Sequence, residues 1–144
     1  MGRVVVHLDS MPKDRSFATI LRDYEERLSP IGISVEAHDS KKDSENYEKE
    51  ISKLSGKLIL LDENGKTMTS LQLARWLEST QLERETTHIA IGPHNGFSER
   101  AKESADSLIS LSFLTLTHEF SAALLMEQLY RASEIIRGSP YHRG

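Results

Sequence analysis

Short β-branched runs alternate with stretches whose apolar residues recur every three to four positions, which predicts interleaved strands and helices. Arg3 to Leu8 reads as a strand. The turn Asp9-Ser10-Met11-Pro12 follows, and Pro12 suits a helix start. Phe17, Ile20, Leu21, Tyr24 and Leu28 then share one helix face, and Ser29-Pro30 ends the helix. Ile33 to Ala37 alternates as a second strand. Asn46 to Leu54 is a weaker helix with Gly56 just past its end.

Leu58 to Asp62 is a continuously apolar third strand, the pattern of a strand covered on both faces of a parallel sheet. Glu63 to Lys66 reads as a turn. Thr69 and Gln72 form a capping box ahead of a helix whose apolar face carries Leu73, Trp76, Leu77 and Thr80. Thr87 to Ile91 is a fourth strand, followed by Gly92 to Gly96 and a short helix from Ser98 to Ser104. Leu108 to Leu111 is a fifth strand. Ser112 to His118 is a loop, and the last helix runs from Glu119 to Arg137.

This alternation predicts a three-layer α/β domain with a mostly parallel sheet. Ligands in such sheets bind outside the carboxyl ends of the strands. The candidate site is therefore the set of loops after Leu8, Leu61, Ile91 and Leu111. The run Ala122 to Met126 is apolar all round its helix, so it is buried on every side. Two readings remain open: packing between the sheet and a second subunit, or an ordinary core helix.

The length of 144 residues has room for one domain, expected to span 1–144, and for one sizeable core. No repeat or low-complexity tract interrupts it. The densest charge run, Lys41 to Glu50, mixes signs as a solvated face does. Cysteine is absent, which excludes disulfide scaffolds, thiolate zinc sites and thiol catalysis. No apolar run approaches the ~20 residues of a membrane helix, and the start is too short for a signal peptide. A cytoplasmic location is the expectation. The net charge of −4 means that a nucleic-acid partner must be met by a local basic patch. His7, His38, His88 and His94 lack metal-ligand spacing, so no metal is expected. His118 is expected to cap or pack the last helix.

Four segments carry a family resemblance: Ile91 to Phe97, Leu108 to His118, Glu127 to Ala132, and Gly138 to Gly144 with its Pro-Tyr-His tail. In this order and spacing they resemble the ribosomal RNA large-subunit methyltransferase H family of the SPOUT superfamily. The match covers roughly a third of the chain. Tyr24 to Leu28 and Leu60 to Asp62 match more loosely. The resemblance implies a SPOUT-type α/β knot, in which the last helix is threaded to form a C-terminal trefoil knot, and a homodimer packed around that helix. It implies S-adenosyl-L-methionine-dependent methylation of N3 of a pseudouridine in 23S rRNA, as free rRNA or within the assembled ribosome.

Carried over residue by residue, the donor-binding positions are Leu61, Gly92, Leu111, Ser112, Phe113, Leu114, Thr115 and Leu116. Apolar side chains wall an adenine slot, and main-chain groups read its edge. Tyr141, His142 and Arg143 are the tail positions set over the acceptor base. His142 is suited to take the N3 proton, and Arg143 to hold a phosphate or the developing anion. Arg131, Arg137 and Arg143 make the one locally basic segment.

Two positions depart from the family pattern. Pro93 replaces a glycine and removes a main-chain donor. Ala122 stands where the family carries an arginine. A catalytically weakened protein that binds RNA or donor is the nearer alternative. A receiver-like signalling module with Asp62 as phospho-acceptor is the more distant one, disfavoured because no lysine ends the fifth strand.

Overall fold

The computed structural model describes residues 2–39 and 43–143. Lys41 and Lys42 of the mixed charge run, and Gly144 of the tail, lie outside the described residues. The elements in chain order are β1 (Val4–Leu8), α1 (Arg15–Leu28), β2 (Ile33–Ala37), α2 (Ser44–Ser52), β3 (Lys57–Thr67), α3 (Ser70–Gln81), β4 (Thr87–Ala90), α4 (Glu99–Ser104), β5 (Ser107–Ser110) and α5 (His118–Arg137).

All five strands are parallel, in the order β2-β1-β4-β3-β5. Strand periodicity sends alternate side chains to opposite faces. Val4, Val6, Leu8, Ile59, Ile89 and Ile109 face α1, α3 and α5, where Leu21, Leu28, Leu73, Leu77, Leu125 and Leu129 close the main core. Leu60 and Ala90 face the other way, with Tyr47 and Ile51 of α2 and Phe97. Both faces are covered, as the three-layer expectation required. Each large side chain so buried contributes roughly 1.5–3 kcal/mol.

The local signals explain the helix ends. The Asp14 carboxylate accepts from the Ser16 and Phe17 amides to start α1. Thr69 and Gln72 complete the expected capping box at α3. Asp43 caps α2, which begins at Ser44, two residues before the expected start.

Two expectations change. Glu63 to Lys66 is not a simple turn. β3 pairs with β5 through Leu61, bulges outward over 62–65, and rejoins β5 at Lys66 and Thr67. Gly65 permits this, because a Cβ there would lie 2.6 Å from the Ile109 amide nitrogen. The receiver-like alternative also fails on topology. Receiver-type sheets run 2-1-3-4-5, whereas here β4 separates β1 from β3.

After β5 the chain returns to α5, which packs on α1 and α3. The strand order and this return fit the trefoil knot implied by the resemblance. Ala122, Leu125 and Met126 are buried within the single chain, while Ala123 and Leu124 remain partly open. No helix among the described residues is long and apolar enough to cross a membrane.

Candidate functional site

A cavity of about 670 Å³ opens at the carboxyl ends of β3, β4 and β5, against the first turn of α5. Three of the four expected loops build it, those after Leu61, Ile91 and Leu111. The loop after Leu8 does not line it. Leu61, Gly92, Leu111, Ser112, Leu114, Thr115 and Leu116 all line the cavity. Phe113 is the exception: it is 93% exposed and outside the lining.

The outward bulge of β3 brings Asp62 and Glu63 into the wall. Asp62 accepts from the Asn64 amide at 3.0 Å and pairs with Lys102 at 3.2 Å. The hydrogen bond to Asp62 raises the Lys102 pKa, so the ammonium keeps its charge at neutral pH. The far wall is pinned by Ser110, whose hydroxyl donates to the Ser112 carbonyl at 2.8 Å, and by Ser112, whose hydroxyl accepts from the Leu114 amide at 2.9 Å.

Gly92 faces the Phe97 ring, and a Cβ there would touch it at 3.4 Å. Pro93 is buried, and its carbonyl accepts from the Gly96 amide at 2.8 Å. The Tyr47 hydroxyl, from α2, lies 2.8 Å from the Ile91 carbonyl and 3.0 Å from that of His7. One proton shared by two carbonyls fixes the end of β4 beside the loop. Burial and, less strongly, the charge of Asp9 raise the Tyr47 pKa, so this hydroxyl keeps its proton.

The tail folds back on its own helix instead of reaching the cavity. Gly138, at φ 77°, ends α5. Tyr141 then donates to Glu127 Oε2 at 2.7 Å, and its ring lies edge-on to Tyr130 and beneath the Arg131 guanidinium. The Glu127 hydrogen bond, then burial, raise the Tyr141 pKa. Arg131 donates to Glu127 at 3.0 Å and to His142 Nδ1 at 3.1 Å. None of Tyr141, His142 and Arg143 lines the cavity. Arg131 lies ten residues beyond Ser121, which does, a separation of about 15 Å along the helix. Within one chain the tail and the cavity are therefore apart.

The basic segment is also weaker than its sequence reads. Arg137 pairs with Glu134, and Arg131 with Glu127, one helical turn away. Arg143 is exposed and has no carboxylate partner among the described residues. Ala122, at the family's arginine position, is 1% exposed and packs the core.

On the opposite face of the sheet lies a group that sequence spacing did not reveal. His7 Nε2 is 2.8 Å from His88 Nδ1, and His7 Nδ1 is 2.7 Å from His38 Nε2. His88 Nε2 donates to the Ser55 carbonyl at 3.0 Å. Burial, then the neighbouring His88 and His38, push the His7 pKa down to about 3. The three histidines come from β1, β4 and the residue after β2, so no linear motif records them. The one available signal was a histidine inside an otherwise apolar strand.

The comparisons bear on the family and the fold. The family model described as "Predicted SPOUT methyltransferase" matches residues 4–142. The chain is 43% identical to the ribosomal RNA large subunit methyltransferase H of Prochlorococcus marinus over 85% of this chain and 83% of that one. It is 33% identical to the protein of the same name from Gemmatimonas aurantiaca over 98% of this chain and 99% of that one. Among solved structures, a probable methylase family protein from Haemophilus influenzae superposes with a TM-score of 0.59 at 9% identity, covering 99% of this chain and 70% of that one. That likeness shows a common fold. A family match along nearly the whole chain, full-length relatives and a strand-end cavity built at the motif positions agree: the chain belongs to the SPOUT methyltransferases, in the ribosomal RNA large-subunit methyltransferase H family.

Proposed function

We propose that this protein transfers a methyl group from S-adenosyl-L-methionine to N3 of a pseudouridine in 23S rRNA, acting in the cytoplasm as a homodimer. The observation that carries the reading is the cavity walled by Leu61, Gly92 and Leu111 to Leu116, at the ends of three adjacent parallel strands. Its volume lies within the usual range of ligand pockets, about 300–1,000 Å³. The apolar side chains of Leu61, Leu111 and Leu116 suit an adenine face, and main-chain groups at the strand ends suit its polar edge. The donor supplies an electrophilic methyl group.

The residues of this chain then have to bind the base, exclude water and take the N3 proton. His142 is the base in this reading, with Tyr141 and Arg143 holding the nucleotide. Because a chain's own tail is remote from its cavity, a second copy supplies the tail to each site. Exposed Phe113, Leu114 and Phe120 near the cavity mouth support such an apposition, since large apolar side chains grouped on a surface mark contacts. Arg143, with no carboxylate partner among the described residues, is the tail's cation to meet phosphate.

A second reading is a protein that binds donor or RNA with little turnover. Pro93 removes a main-chain donor, buried Ala122 replaces a basic residue, and Arg131 occupies the His142 lone pair. One experiment separates the two. Calorimetry with S-adenosyl-L-methionine is followed by methyl transfer to ribosomes from cells lacking the modification. Binding with transfer supports the enzyme. Binding without transfer supports the second reading, and absence of both removes the cavity from consideration.

A further inference from the structure

We propose that His7, Glu36 and His38 form a binding site for a borderline divalent cation, with zinc as the reference ion. The site is separate from the methyl-donor cavity and does not depend on its assignment.

The sheet register brings the ligands together. His7 on β1 pairs directly with Glu36 on β2, and His38 follows one residue past the end of β2. One ligand atom from each lies within 4.8 Å of the others. The Glu36 carboxylate is 3.9 Å from His7 Nδ1.

Hydrogen-bond direction fixes where the lone pairs point. A carbonyl only accepts, so His88 carries its proton on Nε2 toward Ser55 and offers a lone pair at Nδ1. His7 must then donate from Nε2 to His88, which leaves its Nδ1 lone pair facing His38 Nε2. In the metal-free protein His38 fills that position with an Nε2 proton. A cation takes the place of this proton, and the proton moves to His38 Nδ1, 3.5 Å from Glu50 Oε2.

Each ligating imidazole then has its other N–H held by an outer partner, His88 for His7 and Glu50 for His38. That is the support which orients histidine ligands and raises their basicity. Zn–N bonds of about 2.0–2.1 Å at a tetrahedral angle set nitrogens about 3.3 Å apart, so the 2.7 Å pair opens by about 0.6 Å. The Glu36 side chain is 57% exposed, so the site has a path to solvent and room for water as a fourth ligand. Two imidazoles and one carboxylate, without thiolate, suit zinc and its neighbours. The all-oxygen preference of magnesium and calcium is not met.

The test uses the full chain, stripped with chelator and titrated with Zn²⁺ by calorimetry and with Co²⁺ by visible absorption. One saturable equivalent is expected. Glu36→Gln and His38→Gln should each weaken it at least about tenfold, with the circular dichroism unchanged. His94→Gln, which alters a histidine near the cavity, should leave it intact. In ¹⁵N spectra zinc should shift His7 Nδ1 and leave Nε2 protonated. Absence of saturable binding overturns the proposal. So does affinity unchanged in both Glu36→Gln and His38→Gln, or affinity lost in His94→Gln.

Discussion

Arg131 donates to Nδ1 of His142 at 3.1 Å, and this single contact fixes the imidazole tautomer. The guanidinium has no acceptor, so the His142 lone pair lies on Nδ1 and any proton on the neutral ring lies on Nε2. A base that takes a proton must expose a lone pair. In the proposed mechanism His142 would therefore have to leave Arg131 before it takes the N3 proton.

The first prediction separates chemistry from binding. His142→Ala should leave fold and donor affinity unchanged, because the tail adds little to the core and the donor cavity is lined by the strand-end loops and not by residues 141–143. Methyl transfer should fall about 10²–10⁴-fold, the usual cost of losing a general base. Single-turnover transfer to unmodified ribosomes, with calorimetry alongside, checks both halves. Full activity in a chain ending at Ser139 would remove the tail from the mechanism.

Gly92→Val tests the donor site. The first added carbon already touches Phe97, so the further methyls must occupy cavity space or push the ring. Overpacking of about 1–3 kcal/mol corresponds to a loss of about 5–150-fold in donor affinity. Thermal stability should fall by no more than this overpacking cost. Unaltered calorimetric affinity would show that the donor lies elsewhere.

The dimer is tested at the surface and not at Leu125. The all-round apolar run invites a charge at Leu125, but this side chain is 2% exposed in the single chain, so Leu125→Glu would unfold the protomer. Phe113 is the informative position, at 93% exposure. Phe113→Glu should leave the protomer folded and shift sedimentation toward monomer. Methyl transfer should fall with it, since each site would lose the tail of a second copy. An unmutated chain that sediments as a monomer at high micromolar concentration would defeat the homodimer.

What the chain's pattern made legible was local or periodic. The existence of each strand and helix and the Thr69 capping box follow from spacing along one segment, and the site at the strand ends follows from their alternation. What it hid depends on residues distant in sequence. The bulge at 62–65 exists because Gly65 lies against the backbone of β5, and no single-segment signal distinguishes that from a turn. The His7–His38–His88 chain arises only from strand register. The tail residues were recognisable by motif, but their place beside Glu127 and Arg131 depends on how the chain turns after Gly138.

The last prediction concerns acid stability. His7 has an ordinary pKa of 6.5 when unfolded and about 3 in the fold, chiefly through burial and secondarily through His88 and His38. Between these values the unfolded chain binds a proton that the native chain does not, so stability falls as pH falls. The contribution is complete above about pH 6.5 and is lost progressively toward pH 3. Within that window one such proton gives a slope approaching about 1.4 kcal/mol per pH unit. The Glu36 carboxylate, 3.9 Å from Nδ1, faces the ring from β2. Urea denaturation of chelator-treated protein at several pH values from 7.5 to 5, by roughly half-unit steps, measures the slope before most carboxylates titrate. His7→Gln keeps a polar side chain in the pocket and removes the titrating ring. It should be less stable at neutral pH and should show a visibly shallower pH dependence than the parent. Equal slopes in the two proteins would mean that another group carries the acid sensitivity.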